Sequence, residues 1–167
     1  MNETVAETAP GCRPAWQATV PDEQAVQALA SRFAQKVEPP LVIHLRGDLG
    51  AGKTTFARAY IHALGFSGYV KSPSYGLLET YEAGGQRVLH LDLYRIEDPE
   101  ELEFLALRDL FTDDTVLLVE WPERGGSVLP KADLVLNFGE TDEARFIRCE
   151  VLSSRGGLVA LDLLPDI

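Results

Sequence analysis

Gly47, Gly52, Lys53 and Thr54 fall at the spacing G-x-x-x-x-G-K-[ST], inside the run Gly47-Asp48-Leu49-Gly50-Ala51-Gly52-Lys53-Thr54. That pattern has a physical reason. A loop that wraps phosphate oxygens must turn its backbone N–H groups inward, and side chains there would block the approach. Glycines permit that path. A lysine placed after them reaches the β- and γ-phosphates, and the hydroxyl that follows can ligate magnesium. The expected ligands are therefore ATP and Mg2+. The expected nucleotide-contacting residues are Asp48, Leu49, Gly50, Ala51, Gly52, Lys53, Thr54 and Thr55.

Magnesium at such a loop also calls for an acid at the end of a buried strand. Two segments offer one. Val88-Leu89-His90-Leu91-Asp92 ends in Asp92, and Val116-Leu117-Leu118-Val119-Glu120 ends in Glu120. An acid directly after four apolar or buried positions is hard to explain as surface, because strand register buries its neighbours. The pattern does not choose between the two. Ser72-Pro73-Ser74-Tyr75 is a polar turn whose hydroxyls could sense a γ-phosphate as switch loops do, although alone it reads as an ordinary turn. Trp121-Pro122 follows Glu120 as core packing or as an exposed contact. His44 reads as a packed core residue, and His62 and His90 show no partner pattern.

The elements that must position these residues are legible from periodicity. Pro21-Asp22-Glu23 opens a helix, with Val26, Leu29, Ala30, Phe33 and Val37 on one face and Pro39-Pro40 beyond its end. Leu41–Leu45 reads as a buried strand leading into the glycine loop. A helix over 53–64 follows, with Phe56, Tyr60, Ala63 and Leu64 expected to share a face and Gly65 beyond them. Residues 75–82 and 86–94 form an expected hairpin about Gly84-Gly85. Asp98-Pro99-Glu100-Glu101 opens a helix to Leu110, and 115–120 is a second buried strand. Strands are expected over 134–138, 144–152 and 158–164, with Arg155-Gly156-Gly157 as the turn between the last two. Strands alternating with helices predict a single-domain α/β P-loop NTPase fold, with a mixed β-sheet flanked by helices. Residues 1–18 read as a disordered leader and 19–167 as the ATPase domain.

The totals narrow the function classes. The chain has 167 residues, enough for one core, and a formal charge of -11 from 26 acidic and 15 basic residues. A surface this acidic does not grip nucleic acid by counterion release, so any RNA in the biology is expected to be held by a partner. Two cysteines, Cys12 and Cys149, make neither a disulfide framework nor a zinc site. No apolar run approaches the roughly 20 residues that span a bilayer, and the first residues lack the basic and apolar regions of a secretory signal. The expected setting is cytoplasmic, without a membrane.

Taken together, Gly47–Thr55 (GDLGAGKTT), Val70–Tyr75 (VKSPSY), Tyr81, His90–Arg95 (HLDLYR) and Glu120–Glu123 (EWPE) resemble the TsaE (YjeE) family in order and spacing, over about residues 19–150. The resemblance implies a bacterial ATPase that supports threonylcarbamoyladenosine formation in tRNA. It would act on the TsaD–TsaB pair, be weakly active without those partners, and meet tRNA only through them. It implies that Lys53 and Thr54 hold phosphate and magnesium and that Glu120 is the acid at the metal. It implies that Asp92 is needed near the γ-phosphate for hydrolysis or its coupling. Ser72, Ser74, Tyr94, Arg95 and Trp121 become switch or partner contacts. The family's usual S-P-T-F/Y is Ser-Pro-Ser-Tyr here, so Ser74 keeps the hydroxyl and loses a methyl.

Three rival readings fit the loop. A P-loop small-molecule kinase would need a mobile lid with paired arginines, and no such segment is evident. A GTPase-like switch would carry an Asn-Lys-x-Asp strand end, and that tetrapeptide does not occur. A binding module with a structural nucleotide would tolerate loss of Lys53.

Overall fold

In the computed structural model, residues 13–73 and 77–163 are described. Strand β1 (Arg13–Thr19) is followed by helix α1 (Glu23–Lys36), strand β2 (Leu41–Arg46) and helix α2 (Lys53–Ala63). Strands β3 (Leu78–Ala83) and β4 (Gln86–Asp92) form a hairpin. A 3₁₀ segment (Pro99–Leu105), the short helix α3 (Leu107–Leu110) and strand β5 (Thr115–Glu120) come next. Strands β6 (Leu134–Glu140) and β7 (Arg145–Val151) and helix α4 (Ser154–Asp162) complete the order.

All seven strands join one sheet in the order β1-β7-β6-β2-β5-β4-β3. The central four, β6-β2-β5-β4, are parallel, and antiparallel pairs close both edges. This is the expected mixed α/β sheet. Strand β2 lies between β5 and β6, so a crevice opens beyond its carboxyl end, the usual ligand position in such sheets.

Each face has its own core. Helices α1 and α2 cover one face, where Phe33 and Phe56 meet edge to face at 5.2 Å, over Ile43, Leu45, Val116 and Leu118. Burying an aromatic ring of this kind stabilises by about 1.5–3 kcal/mol. The opposite face packs Val42, Leu89, Leu91, Leu117 and Val119 against Leu102 and Leu107. Helix α1 starts as its sequence demands: Asp22 Oδ1 accepts from Ala25 N at 2.9 Å.

Four expectations are corrected. The leader does not reach residue 18, because Arg13–Thr19 pairs antiparallel with β7 and Trp16 packs edge-on to Phe33 at 6.1 Å; residues 1–12 lie outside the described residues. On α2 the buried face is Phe56, Ala57, Tyr60 and Ile61, whereas Ala63 is exposed. The helix expected over 98–110 breaks at Ala106, which takes φ 49. Leu102 and Leu107 are five residues apart, about 140° around a continuous α-helix, and the break lets both enter one core.

The fourth concerns 158–164, expected as a strand, of which residues 158–162 belong instead to α4 and residue 164 lies outside the described residues. Ser153 caps that helix through its hydroxyl, which accepts from Gly156 N at 3.0 Å. Val159, Ala160 and Leu163 face the core, while Leu158 and Leu161 are exposed. Gly156, expected in a turn, lies within the helix, where a Cβ would sit 2.2 Å from the Asp133 carbonyl oxygen, so only glycine fits. The strand expected from Tyr75 begins at Leu78, and Tyr75 itself lies outside the described residues. Among the described residues no helix is long and apolar enough to cross a membrane.

Candidate functional site

The glycine loop runs from the end of β2 to the start of α2 and is shaped by close packing. Gly47 takes φ 152, and a Cβ there would lie 2.7 Å from the Phe138 carbonyl oxygen on β6. Any side chain would push the loop off the sheet. Gly52 caps α2 with φ 108 and makes no side-chain capping bond. The first amides of a helix have no partner within it. Those of α2 therefore open, with the positive end of the helix dipole, into the crevice.

Lys53, the first residue of α2, is 4% exposed. Its Nζ donates to the Gly47 carbonyl and to the Asp48 carbonyl at 3.4 Å, and it sits 3.7 Å from the centroid of the Trp121 ring. Burial pushes its pKa down, against the opposing pull of Glu120, Glu123, Asp92 and Asp48. A largely desolvated cation is held at the mouth of the loop by carbonyl dipoles and an aromatic face, interactions an incoming anion can outbid.

The two candidate acids share one face of the sheet. Asp92 and Glu120 are register partners on β4 and β5, 5% and 2% exposed. Glu120 Oε1 accepts from Thr54 Oγ1 at 2.7 Å, which ties β5 to α2. Its Oε2 lies 2.7 Å from His90 Nε2. Asp92 Oδ1 accepts from Tyr94 N at 3.0 Å, which turns the chain as it leaves β4.

Trp121 follows Glu120 in the left-handed region, φ 56. That turn swings the indole back over Lys53. Tyr94 packs on it with ring centroids 5.0 Å apart, and the Arg124 guanidinium lies 5.3 Å from the Tyr94 ring and 5.6 Å from the Trp121 ring.

An open cavity of about 210 Å³ gathers Leu49, Gly50, Gly52, Lys53, Thr54, Thr55, Asp92, Tyr94, Glu120 and Trp121. Asp48 and Ala51 line an adjacent cavity of about 140 Å³ with Phe138, Gly139, Glu140 and Arg145, which also takes in Leu49 and Gly50. Ser72 and Arg95 are exposed and stand outside both groups. Ser74 lies outside the described residues. His90 had shown no partner pattern, yet it is fully buried against Glu120. Its place two residues before Asp92, on the same strand face, is the signal that could have found it.

The arrangement suits a phosphate-bearing ligand with a hard cation. It presents uncapped helix amides, a buried ammonium, and a hydroxyl–carboxylate pair of the oxygen type magnesium takes.

Comparison with known proteins gives the family. The family described as "Threonylcarbamoyl adenosine biosynthesis protein TsaE" matches residues 20–147. The tRNA threonylcarbamoyladenosine biosynthesis protein TsaE of Haemophilus influenzae is 44% identical over 133 residues, covering 77% of this chain and 84% of the relative. Its namesake in Bacillus subtilis is 38% identical over 119 residues, covering 71% and 73%. The crystal structure of Bacillus subtilis YdiB superposes with a TM-score of 0.75 at 28% identity, over 89% of this chain and 93% of that one. With a family match spanning most of its length and these relatives beside it, the chain belongs to the TsaE family.

Proposed function

We propose that this protein binds ATP with magnesium at residues 47–55 and hydrolyses it in support of threonylcarbamoyladenosine formation in tRNA, acting on the TsaD–TsaB pair. The observation that carries the reading is the convergence of Lys53, Thr54, Asp92 and Glu120 at the uncapped start of α2. On this reading the loop amides cradle the phosphates and Lys53 exchanges its carbonyl partners for phosphate oxygens. The Thr54 hydroxyl and the Glu120 carboxylate would hold the magnesium ion, whose chemistry would be to neutralise phosphate charge. Asp92 stands beside Glu120 on the γ-phosphate side and is needed for hydrolysis. Tyr94, exposed at the rim, and the half-buried Trp121 beneath it couple the site to the partner pair. The net charge of -11 fits a protein that leaves tRNA to those partners in the cytoplasm.

The test is ATP turnover by the purified chain, alone and with the TsaD–TsaB pair. Slow hydrolysis alone and strong stimulation by the pair are expected. Equal rates with and without the pair would overturn the partner assignment, and phosphorylation of a small metabolite by the chain alone would replace the reading with that of a kinase.

A further inference from the structure

We propose that His90 is a positioning residue for Glu120, fixing from β4 which carboxylate oxygen faces Thr54 and the magnesium ion. The inference rests on the reading of Glu120 as the magnesium acid and goes beyond it.

The geometry is specific. Glu120 gives each oxygen a different partner at 2.7 Å: Oε1 takes the Thr54 hydroxyl and Oε2 faces His90 Nε2. A carboxylate held at both ends cannot rotate about its terminal torsion, which is otherwise broad. An ionised carboxylate oxygen only accepts, so Nε2 carries a hydrogen and donates, and Nδ1 is the ring's second nitrogen. That Nδ1 is buried and has no hydrogen-bond partner among the described residues. The ring is fully buried in a row of apolar side chains that includes Val88 and, across the ladder, Leu118. A buried polar group with one atom orphaned costs stability that an aliphatic residue would not. Packing alone gives no reason for an imidazole here. The bond to Glu120 does, because magnesium demands near-ideal placement of its oxygen ligands. Partners that orient metal ligands typically change metal affinity about 10–100-fold when removed.

The experiment measures ADP affinity by calorimetry across a series of free Mg2+ concentrations and in EDTA, for the wild type and for His90→Leu, His90→Gln and His90→Asn. The glutamine amide nitrogen reaches about as far as Nε2, whereas that of asparagine stops near Nδ1. His90→Leu is expected to keep its ADP affinity in EDTA within about twofold, and to need about 10–100-fold more Mg2+ for half-maximal tightening. His90→Gln should recover most of that loss and His90→Asn little of it. A merely structural histidine would change thermal stability without separating glutamine from asparagine in their magnesium requirement. Wild-type magnesium requirements in all three variants would overturn the proposal. If His90→Leu does not fold, equal requirements for His90→Gln and His90→Asn would overturn it as well. A wild-type protein whose ADP affinity ignores magnesium would instead bring down the reading of Glu120, and this proposal with it.

Discussion

Asp92 and Glu120 lie side by side across β4 and β5, yet they bond different partners. Glu120 accepts from Thr54 on α2 and faces His90, whereas Asp92 accepts from the backbone N–H of Tyr94. On the proposed reading, these two neighbouring acids have separate duties. Glu120→Gln should weaken the magnesium dependence of nucleotide binding. Asp92→Asn should leave that dependence within about twofold and lower single-turnover hydrolysis by about 100-fold, the scale of a positioned carboxylate. Nucleotide titrations with and without magnesium, paired with quenched-flow hydrolysis, separate the two. Wild-type turnover in Asp92→Asn would remove it from the reaction.

Lys53 is a largely desolvated cation, and its lowered pKa means that the fold disfavours its charged form relative to water. Lys53→Met keeps much of the stem and removes the ammonium. Its nucleotide-free form should melt at or above the wild-type temperature, while ATP affinity falls by about 10–100-fold, the loss of one charge-assisted contact. Calorimetry and an ATP titration read both. A lower melting temperature with undiminished affinity would show the lysine to be structural.

Trp121 reports on Lys53. Of the two tryptophans, Trp16 is buried against Phe33, so Trp16→Phe leaves Trp121 as the single tryptophan, excited selectively above the tyrosine absorption band. Nucleotide binding should draw the ammonium from its 3.7 Å seat on the indole and change the emission. The left-handed backbone at Trp121 adds a second expectation. Left-handed angles cost a non-glycine residue about 1–2 kcal/mol, so Trp121→Gly should be at least as stable as Trp121→Ala, the reverse of the usual order. Trp121→Ala should fold normally and respond less to the TsaD–TsaB pair. Undiminished stimulation of that variant by the pair would remove Trp121 from the coupling.

The sequence made the glycine loop readable because its meaning is local: Gly47, Gly52, Lys53 and Thr54 act through a single strand–loop–helix connection. The convergence of Asp92 and Glu120 was half readable. Each could be placed at a strand end, but their adjacency depends on the parallel register of β4 and β5, which nothing within either segment encodes. His90 was missed for the same reason, since its partner is 30 residues away. Strand β1 was missed because its register partner for Trp16 is Cys149, at the far end of the chain. Residues 158–164 misled through composition. Leu-Val-Ala-Leu-Asp-Leu-Leu offers a strand pattern and a helix stripe equally, and what marks the helix is the Ser153 cap together with the burial of Val159, Ala160 and Leu163 on one face.

His44 supplies a pH dependence remote from any magnesium effect. It lies in β2, 9% exposed, with Nε2 buried and unpartnered among the described residues and a hydrogen bond to the Pro130 backbone. Burial, reinforced by Arg46 and opposed by the Pro130 bond, pushes its pKa from 6.5 down to about 4. Between those values the unfolded chain binds a proton that the folded chain refuses, so stability rises with pH across the window. Its contribution is full above about 6.5 and is lost as pH falls toward about 4. At about 1.4 kcal/mol per pH unit, the contribution is at most about 3.5 kcal/mol. His44→Asn keeps a donor near the Nδ1 position and does not titrate. Urea unfolding at pH 4.5, 5.5, 6.5 and 7.5 should therefore give a shallower acid limb for the variant than for the wild type. Because the carboxylates titrate in both proteins, the difference between the two curves isolates the histidine, and parallel curves would show that His44 takes up its proton without unfolding.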